Sequence, residues 1–260
     1  DGTLIKESTP TLYPEMIKAI KKLKDLGIAF CAASGRQYPS LKNVFDEVAD
    51  DIFYIAENGA QIRYKERDIF TSPMKREYVV GIINMLRPYY GEIEVVVSTD
   101  NGSLIESKSS EFIDLIENGY HNRFTLVNDV LSVEDAVVFK ISVFKKRNIR
   151  ELGEKVFIPA WKEKVKVCIA GDEWADFMDK SVDKGNALIF LKDFLKIQKN
   201  QIMAFGDNDN DIGMIQQAGE SYAVVNAVEK VKKNAKFICQ GWAEKGVFKV
   251  INEKFFNNKL

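Results

Sequence analysis

Short, unbroken apolar runs separated by helical patterns set the tightest limit on what this chain can fold into. Ile28-Ala29-Phe30-Cys31-Ala32-Ala33 stops abruptly at Ser34-Gly35-Arg36, and Ile52 to Ala56 stops at Glu57-Asn58-Gly59. Ile202-Met203-Ala204-Phe205 stops at Gly206-Asp207, and Tyr222 to Val225 is a fourth run. Such runs, with no polar alternation, read as strands buried on both faces, the habit of parallel sheets. Tyr13-Pro14 opens a helical stretch in which Met16, Ile20 and Leu23 share a face and Gly27 supplies the stop. Further helical patterns cover Lys184 to Leu195, Asp209 to Gln217 and Glu244 to Glu253. Buried strands alternating with helices predict a doubly wound α/β sheet.

The middle of the chain follows a different period. Val137 to Val143 and Val165 to Ile169 alternate apolar with polar, as strands with one wet face do, and Val79 to Pro88 and Glu111 to Asn118 read as helices. These patterns predict an α+β insertion over residues 79–181, splitting an α/β core made of 1–78 and 182–260. At about 150 residues per domain the length gives roughly 1.7 domains, which this division accommodates. Gly171-Asp172-Glu173-Trp174 reads as a hairpin turn between two strands of the insertion.

Charge excludes several partner classes. Lys and Arg number 37 against 38 Asp and Glu, so the net charge is -1 and no global field draws the chain to nucleic acid or to an anionic membrane. Any anionic ligand must be held by a local site. The three cysteines are odd in number and widely spaced, no apolar run approaches the roughly 20 residues of a membrane helix, and the opening residues show no signal-peptide pattern. A cytoplasmic monomer or weak homodimer is the expectation.

In open parallel sheets, ligands sit at the carboxyl ends of the strands. Asp1-Gly2-Thr3, Ser34-Gly35-Arg36, Lys184-Gly185-Asn186 and the run Gly206 to Asp211 are the polar clusters at strand ends or helix starts. Their content suits a phosphate group with a divalent cation. Asp207 and Asp211 lie four apart around a helix start, and oxygen-only ligands favour a hard ion such as Mg²⁺. Helix capping alone explains fewer acidic and amide residues than this run carries. A calcium loop is excluded, because its glycine position falls on Ile212 and its final glutamate on Ala218. Ser34-Gly35 is either an ordinary turn or a donor of hydroxyl and backbone N–H groups to an anion. Lys184 stands against the helix dipole, as a solvated lysine or as the neutraliser of a phosphate. His121, the single histidine, reads as a packing or surface residue. No nucleotide-binding glycine motif and no Gly-x-Ser-x-Gly is present.

Taken in order, the clusters resemble the motifs of haloacid dehalogenase-like phosphatases, specifically the Cof-type branch with a large α/β cap. The residues that carry the resemblance are Asp1-Gly2-Thr3-Leu4, Ala33-Ser34-Gly35-Arg36, Asn58-Gly59-Ala60, Lys184-Gly185-Asn186-Ala187-Leu188, Gly206-Asp207 with Asn210-Asp211 and Met214, and Ala223 to Val228. The resemblance implies a Mg²⁺-dependent phosphatase acting on a small phosphorylated metabolite, a sugar phosphate first, through an aspartyl-phosphate intermediate. It makes Asp1 the general acid and base, with its carbonyl on the metal, and Lys184 the second catalytic residue. Ser34, Gly35, Lys184 and Asn210 would bind phosphate, Arg36 and Asn58 would line the substrate pocket, and Asp207 and Asp211 would join Asp1 as metal ligands. The family's nucleophilic aspartate belongs two residues before Asp1, at the end of a first strand, so the expectation is that both precede the sequence given. Substrate identity is expected to be set by the cap. A phosphohexomutase of the same fold and a non-catalytic phosphate-binding protein are the alternatives.

Overall fold

A computed structural model describes residues 1–6, 11–119 and 123–257, so His121 lies outside the described residues. The chain forms two compact units, a core of Asp1–Phe70 with Asp183–Leu260 and an inserted unit of Thr71–Val182.

The first half of the core carries β1 (Cys31–Ala33), β2 (Phe53–Ala56), β3 (Gln61–Tyr64) and β4 (Arg67–Thr71), neighbours in that order. β1 and β2 are parallel, with Ala32 opposite Tyr54, and β3 returns antiparallel to β2. The apolar run from Ile28 therefore becomes a three-residue strand, extended by one further bond from Phe53 N–H to the Phe30 carbonyl at 2.9 Å. The helix Pro14–Asp25 has Pro14 in its first turn, where no N–H is needed, and buries Met16, Ala19, Ile20 and Leu23. With Val247 and Ile251 of the helix Gly246–Phe256, these side chains pack into one cluster with Ala32 and Tyr54.

In the inserted unit, β5 (Glu94–Thr99), β6 (Gly102–Ile105), β7 (Phe124–Leu126), β8 (Val138–Phe144), β9 (Lys166–Ala170) and β10 (Trp174–Met178) form one sheet ordered β7-β6-β5-β8-β10-β9. Val95, Val97, Ile141, Val143, Ala175 and Phe177 alternate onto one face and pack against Ile82, Ile83 and Leu86 of the helix Arg76–Leu86. Phe112 and Ile116 pack with Val96 and Ile105. The unit starts at Thr71, eight residues before the periodicity predicts, because Met74 is buried in its core and donates its N–H to the Val138 carbonyl at 2.7 Å.

The chain then returns to the core with the helix Lys184–Leu195, β11 (Met203–Gly206), β12 (Glu220–Val224) and β13 (Phe237–Cys239), all three strands parallel. Ala204, Ala223 and Val224 are buried in one cluster with Leu188, Ile215 and Val231 from helices of this half. This is an α/β core with an inserted α+β unit. The segment after β1 is Ser34-Gly35-Arg36, and the segment after β11 is Asp207 to Asp211, so the polar clusters fall at the carboxyl ends of parallel strands. Among the described residues no helix is long and apolar enough to cross a membrane.

Candidate active site

β11 ends at Gly206, where a Cβ would come within 2.6 Å of the Asp211 Cβ, so the acidic loop turns tightly back on the strand. Asp211 closes that turn. Its Oδ2 accepts the backbone N–H groups of Asp207 at 2.9 Å and Asn208 at 3.1 Å, and its Oδ1 accepts Lys184 Nζ at 2.6 Å. Both partners of this ion pair are nearly buried, Lys184 at 6% exposure and Asp211 at 4%. Burial alone pushes the Asp211 carboxyl up; Lys184 and the two amides outweigh it and hold the group below its ordinary value. Asp211 thereby ties Lys184 and the two loop amides together.

Asp207, four residues earlier, has the opposite electrostatics. Burial, and then the Asp211 charge, raise its carboxyl above the ordinary value, although Thr3 Oγ1 hydrogen-bonds to its Oδ1 and Lys184 lies near. A partly buried carboxylate whose charged form is disfavoured by burial would gain from a bound cation. Among the described residues no three Asp, Glu, His or Cys side chains gather into a closed metal cage. The Asp207 carboxylate lies against Gly2 and Thr3, so the donors at this point are oxygens, the chemistry that suits Mg²⁺, an ion that keeps waters and shares substrate phosphate.

Asp1 to Thr3 lie between the two halves of the core. Asn226, beyond β12, donates to the Gly2 carbonyl at 2.8 Å, and Thr3 N–H bonds back to the Asp1 carbonyl at 2.8 Å. Arg36 grips the Asp1 carboxylate with both arms of its guanidinium, Nε to Oδ2 at 2.6 Å and Nη2 to Oδ1. Such a fork orients a carboxylate as well as offsetting its charge. Ser34 is buried at the end of β1; its N–H continues the ladder to the Ile55 carbonyl at 2.9 Å, and its Oγ accepts Arg36 N–H at 3.1 Å. Asp183 caps the helix that carries Lys184, accepting Gly185 N–H at 2.8 Å, so the lysine is set at a fixed helix start.

The family assignment follows from this constellation and its order in the chain. Over residues 1–251 the sequence matches the haloacid dehalogenase-like hydrolases. The chain is a haloacid dehalogenase-like hydrolase. It is 27% identical over 255 residues to the Escherichia coli 5-amino-6-(5-phospho-D-ribitylamino)uracil phosphatase YbjI, covering 97% of this chain and 93% of that one. A solved structure from Eubacterium rectale superposes with a TM-score of 0.91 at 34% identity, covering 97% of this chain and 96% of its own. The HAD subclass IIB sugar phosphatase BT4131 shares the fold at a TM-score of 0.80, with 22% identity and coverage of 97% and 95%. This hydrolase is therefore a phosphatase, a phosphoric monoester hydrolase.

In this hydrolase the residues singled out from the sequence, namely Asp1, Ser34, Gly35, Arg36, Asn58, Lys184, Asp207, Asn210 and Asp211, all fall in the core unit. Asp1 pairs with Arg36, Lys184 with Asp211, and Asn58 with Asn210, whose Nδ2 donates to Asn58 Oδ1 at 2.9 Å. Thr3 and Asn226 belong with them and carry no role in the sequence reading. The strand-end rule that marks Ser34 and Asp207 also points to Asn226, two residues beyond β12.

Proposed function

We propose that the protein is a Mg²⁺-dependent phosphatase of small phosphorylated metabolites, a sugar or polyol phosphate first among them, working through an aspartyl-phosphate intermediate. The observation that carries this reading is the buried Lys184–Asp211 pair, at 2.6 Å, on the loop that also presents Asp207 at the carboxyl end of β11. A cation and a phosphoryl group would each find a fixed opposite charge there. The E. coli relative is named for a phosphorylated ribityl compound, which supports a polyol phosphate.

In this reading Ser34 Oγ binds a phosphoryl oxygen and Lys184 Nζ meets the charge that spreads over those oxygens in the transition state. Asp1 protonates the leaving oxygen and then takes a proton from the attacking water, with Arg36 holding its carboxylate in place. The nucleophile in this reading is an aspartate, as the family resemblance implies. Asp207 and the Asp1 carbonyl would hold Mg²⁺, which when bound screens nucleophile from phosphate and polarises the phosphoryl group. Asp211 fixes Lys184 and the loop amides from behind. The inserted unit sets which metabolite is accepted, and the protein works in the cytoplasm without a nucleic-acid partner.

Inorganic phosphate released from a panel of phosphometabolites by the full-length protein tests the proposal. Release from a hexose or pentitol phosphate is the expected result. Transfer of the phosphoryl group to another position of the sugar, with no phosphate released, would establish a mutase instead.

A further inference from the structure

Glu57, Asn58 and Gly59, between β2 and β3, have φ values of 49°, 58° and 107°, three consecutive residues in the left-handed region. Asparagine tolerates this conformation better than most residues, and a hairpin alone accounts for an Asn-Gly pair in it. A hairpin does not account for where the turn's groups go. Asn58 N–H donates to the Ser34 carbonyl at 3.0 Å and Glu57 N–H to the Arg36 carbonyl at 3.0 Å, so the turn holds both ends of the Ser34 loop. A Cβ on Gly35 would lie 3.0 Å from Asn58 Oδ1, so the amide of Asn58 lies against that loop. A Cβ on Gly59 would lie 2.6 Å from the Asp183 carbonyl, so the same turn abuts the start of the helix that carries Lys184. Across 152 residues of chain, Asn58 Oδ1 accepts Asn210 Nδ2 at 2.9 Å.

We infer that Asn58 is a positioning residue: its side-chain amide braces Asn210 against the Ser34 loop and so sets the register in which the two loops receive a phosphoryl group. The inference rests on the phosphatase reading above, and it gives Asn58 an internal task distinct from lining the substrate pocket. Three loops from separate parts of the chain carry the phosphate-facing groups, and this turn touches all three. A phosphate held by groups on different loops loses affinity when the loops drift independently, even if every group is still present.

Asn58→Gly separates the brace from the turn, because glycine keeps the left-handed conformation and removes only the amide. The expected result is a rise of about tenfold in both KM and the inhibition constant for inorganic phosphate, the effect of one lost hydrogen bond to the site, with kcat and Tm little changed. In an Asn210→Ala background, Asn58→Gly should add nothing further, since the brace has already lost its other end. Equal and additive losses in the two backgrounds, or wild-type phosphate affinity in Asn58→Gly, would overturn the inference while leaving the phosphatase reading intact. Wild-type protein that neither releases nor binds inorganic phosphate would overturn both.

Discussion

Lys184 in the core and Lys140 in the inserted unit are both nearly buried, at 6% and 8% exposure, yet they occupy different kinds of place. Lys184 starts a helix, at the mouth of a parallel sheet, with its ammonium on the Asp211 carboxylate. Lys140 lies mid-strand in β8, with Ser98 of β5 and Met178 of β10 as its register neighbours. In the same sheet Ser98, Ser103 and Ser142 are buried, and Ser142 Oγ donates to Asp176 Oδ1 at 2.6 Å. The core places full charges where strands end, whereas the inserted unit carries buried hydroxyls and Lys140 along its strands. Under the proposed function, the difference would separate chemistry in the core from selection in the inserted unit.

The sharpest way to break this contrast is to remove each lysine. Lys184→Ala should lower kcat by about 10³-fold, the scale of losing one group aimed at developing charge. It should also destabilise the fold by about 3–5 kcal/mol in denaturant titrations, since it leaves the buried Asp211 carboxylate without its partner. If the inserted unit selects rather than reacts, Lys140→Met should leave kcat on a small aryl phosphate near wild type while changing the ranking of phosphometabolites by about tenfold in kcat/KM. Equal loss on every substrate would place Lys140 with the chemistry and end the contrast.

A smaller effect distinguishes the two aspartates of one loop. The raised carboxyl of Asp207 means that the folded state favours its protonated form. Its ionisation therefore costs stability at pH values above its folded pKa, and that cost disappears below the ordinary value of 3.8. Asp211 has the opposite sign: its lowered carboxyl contributes stability above 3.8 that is lost as pH falls through its folded value. At pH 7 in chelator, Asp207→Asn should raise Tm by about 2–4 °C, whereas Asp211→Asn should lower it. The Asp207→Asn gain should vanish at pH 3.5, and a gain unchanged at that pH would contradict the assignment.

Much of the core is legible in the sequence because its strands are buried on both faces and its polar clusters fall at their ends. The hairpin of β3 and β4 is hidden for a physical reason. Its turn residues, Lys65 and Glu66, have positive φ values of 47° and 60° without a glycine or asparagine to signal the turn, and Arg63, Arg67 and Asp68 mask the alternation. The boundary at Thr71 is hidden because Met74 docks into the inserted unit by one main-chain bond and one side chain, too little to make a period. In the site, residue types and spacing mark Ser34, Lys184, Asp207 and Asp211. They do not show that Arg36 holds Asp1, or that Asp211 faces Lys184, because those pairings join residues 35 and 27 apart by side-chain geometry alone. The polar strip of the inserted unit carries no motif: Ser98, Ser103, Lys140 and Ser142 come together only through strand register.

In the proposed function, Asp207 and the Asp1 turn form a Mg²⁺ site that serves phosphoryl transfer. Phosphate release by the full-length protein, followed while Mg²⁺ is titrated into chelated enzyme, tests it most directly. The expected result is no turnover in excess chelator, saturable recovery with Mg²⁺, and no recovery in Asp207→Asn at the same concentrations. Full activity in excess chelator, or an Asp207→Asn enzyme with the wild-type Mg²⁺ response, would contradict it.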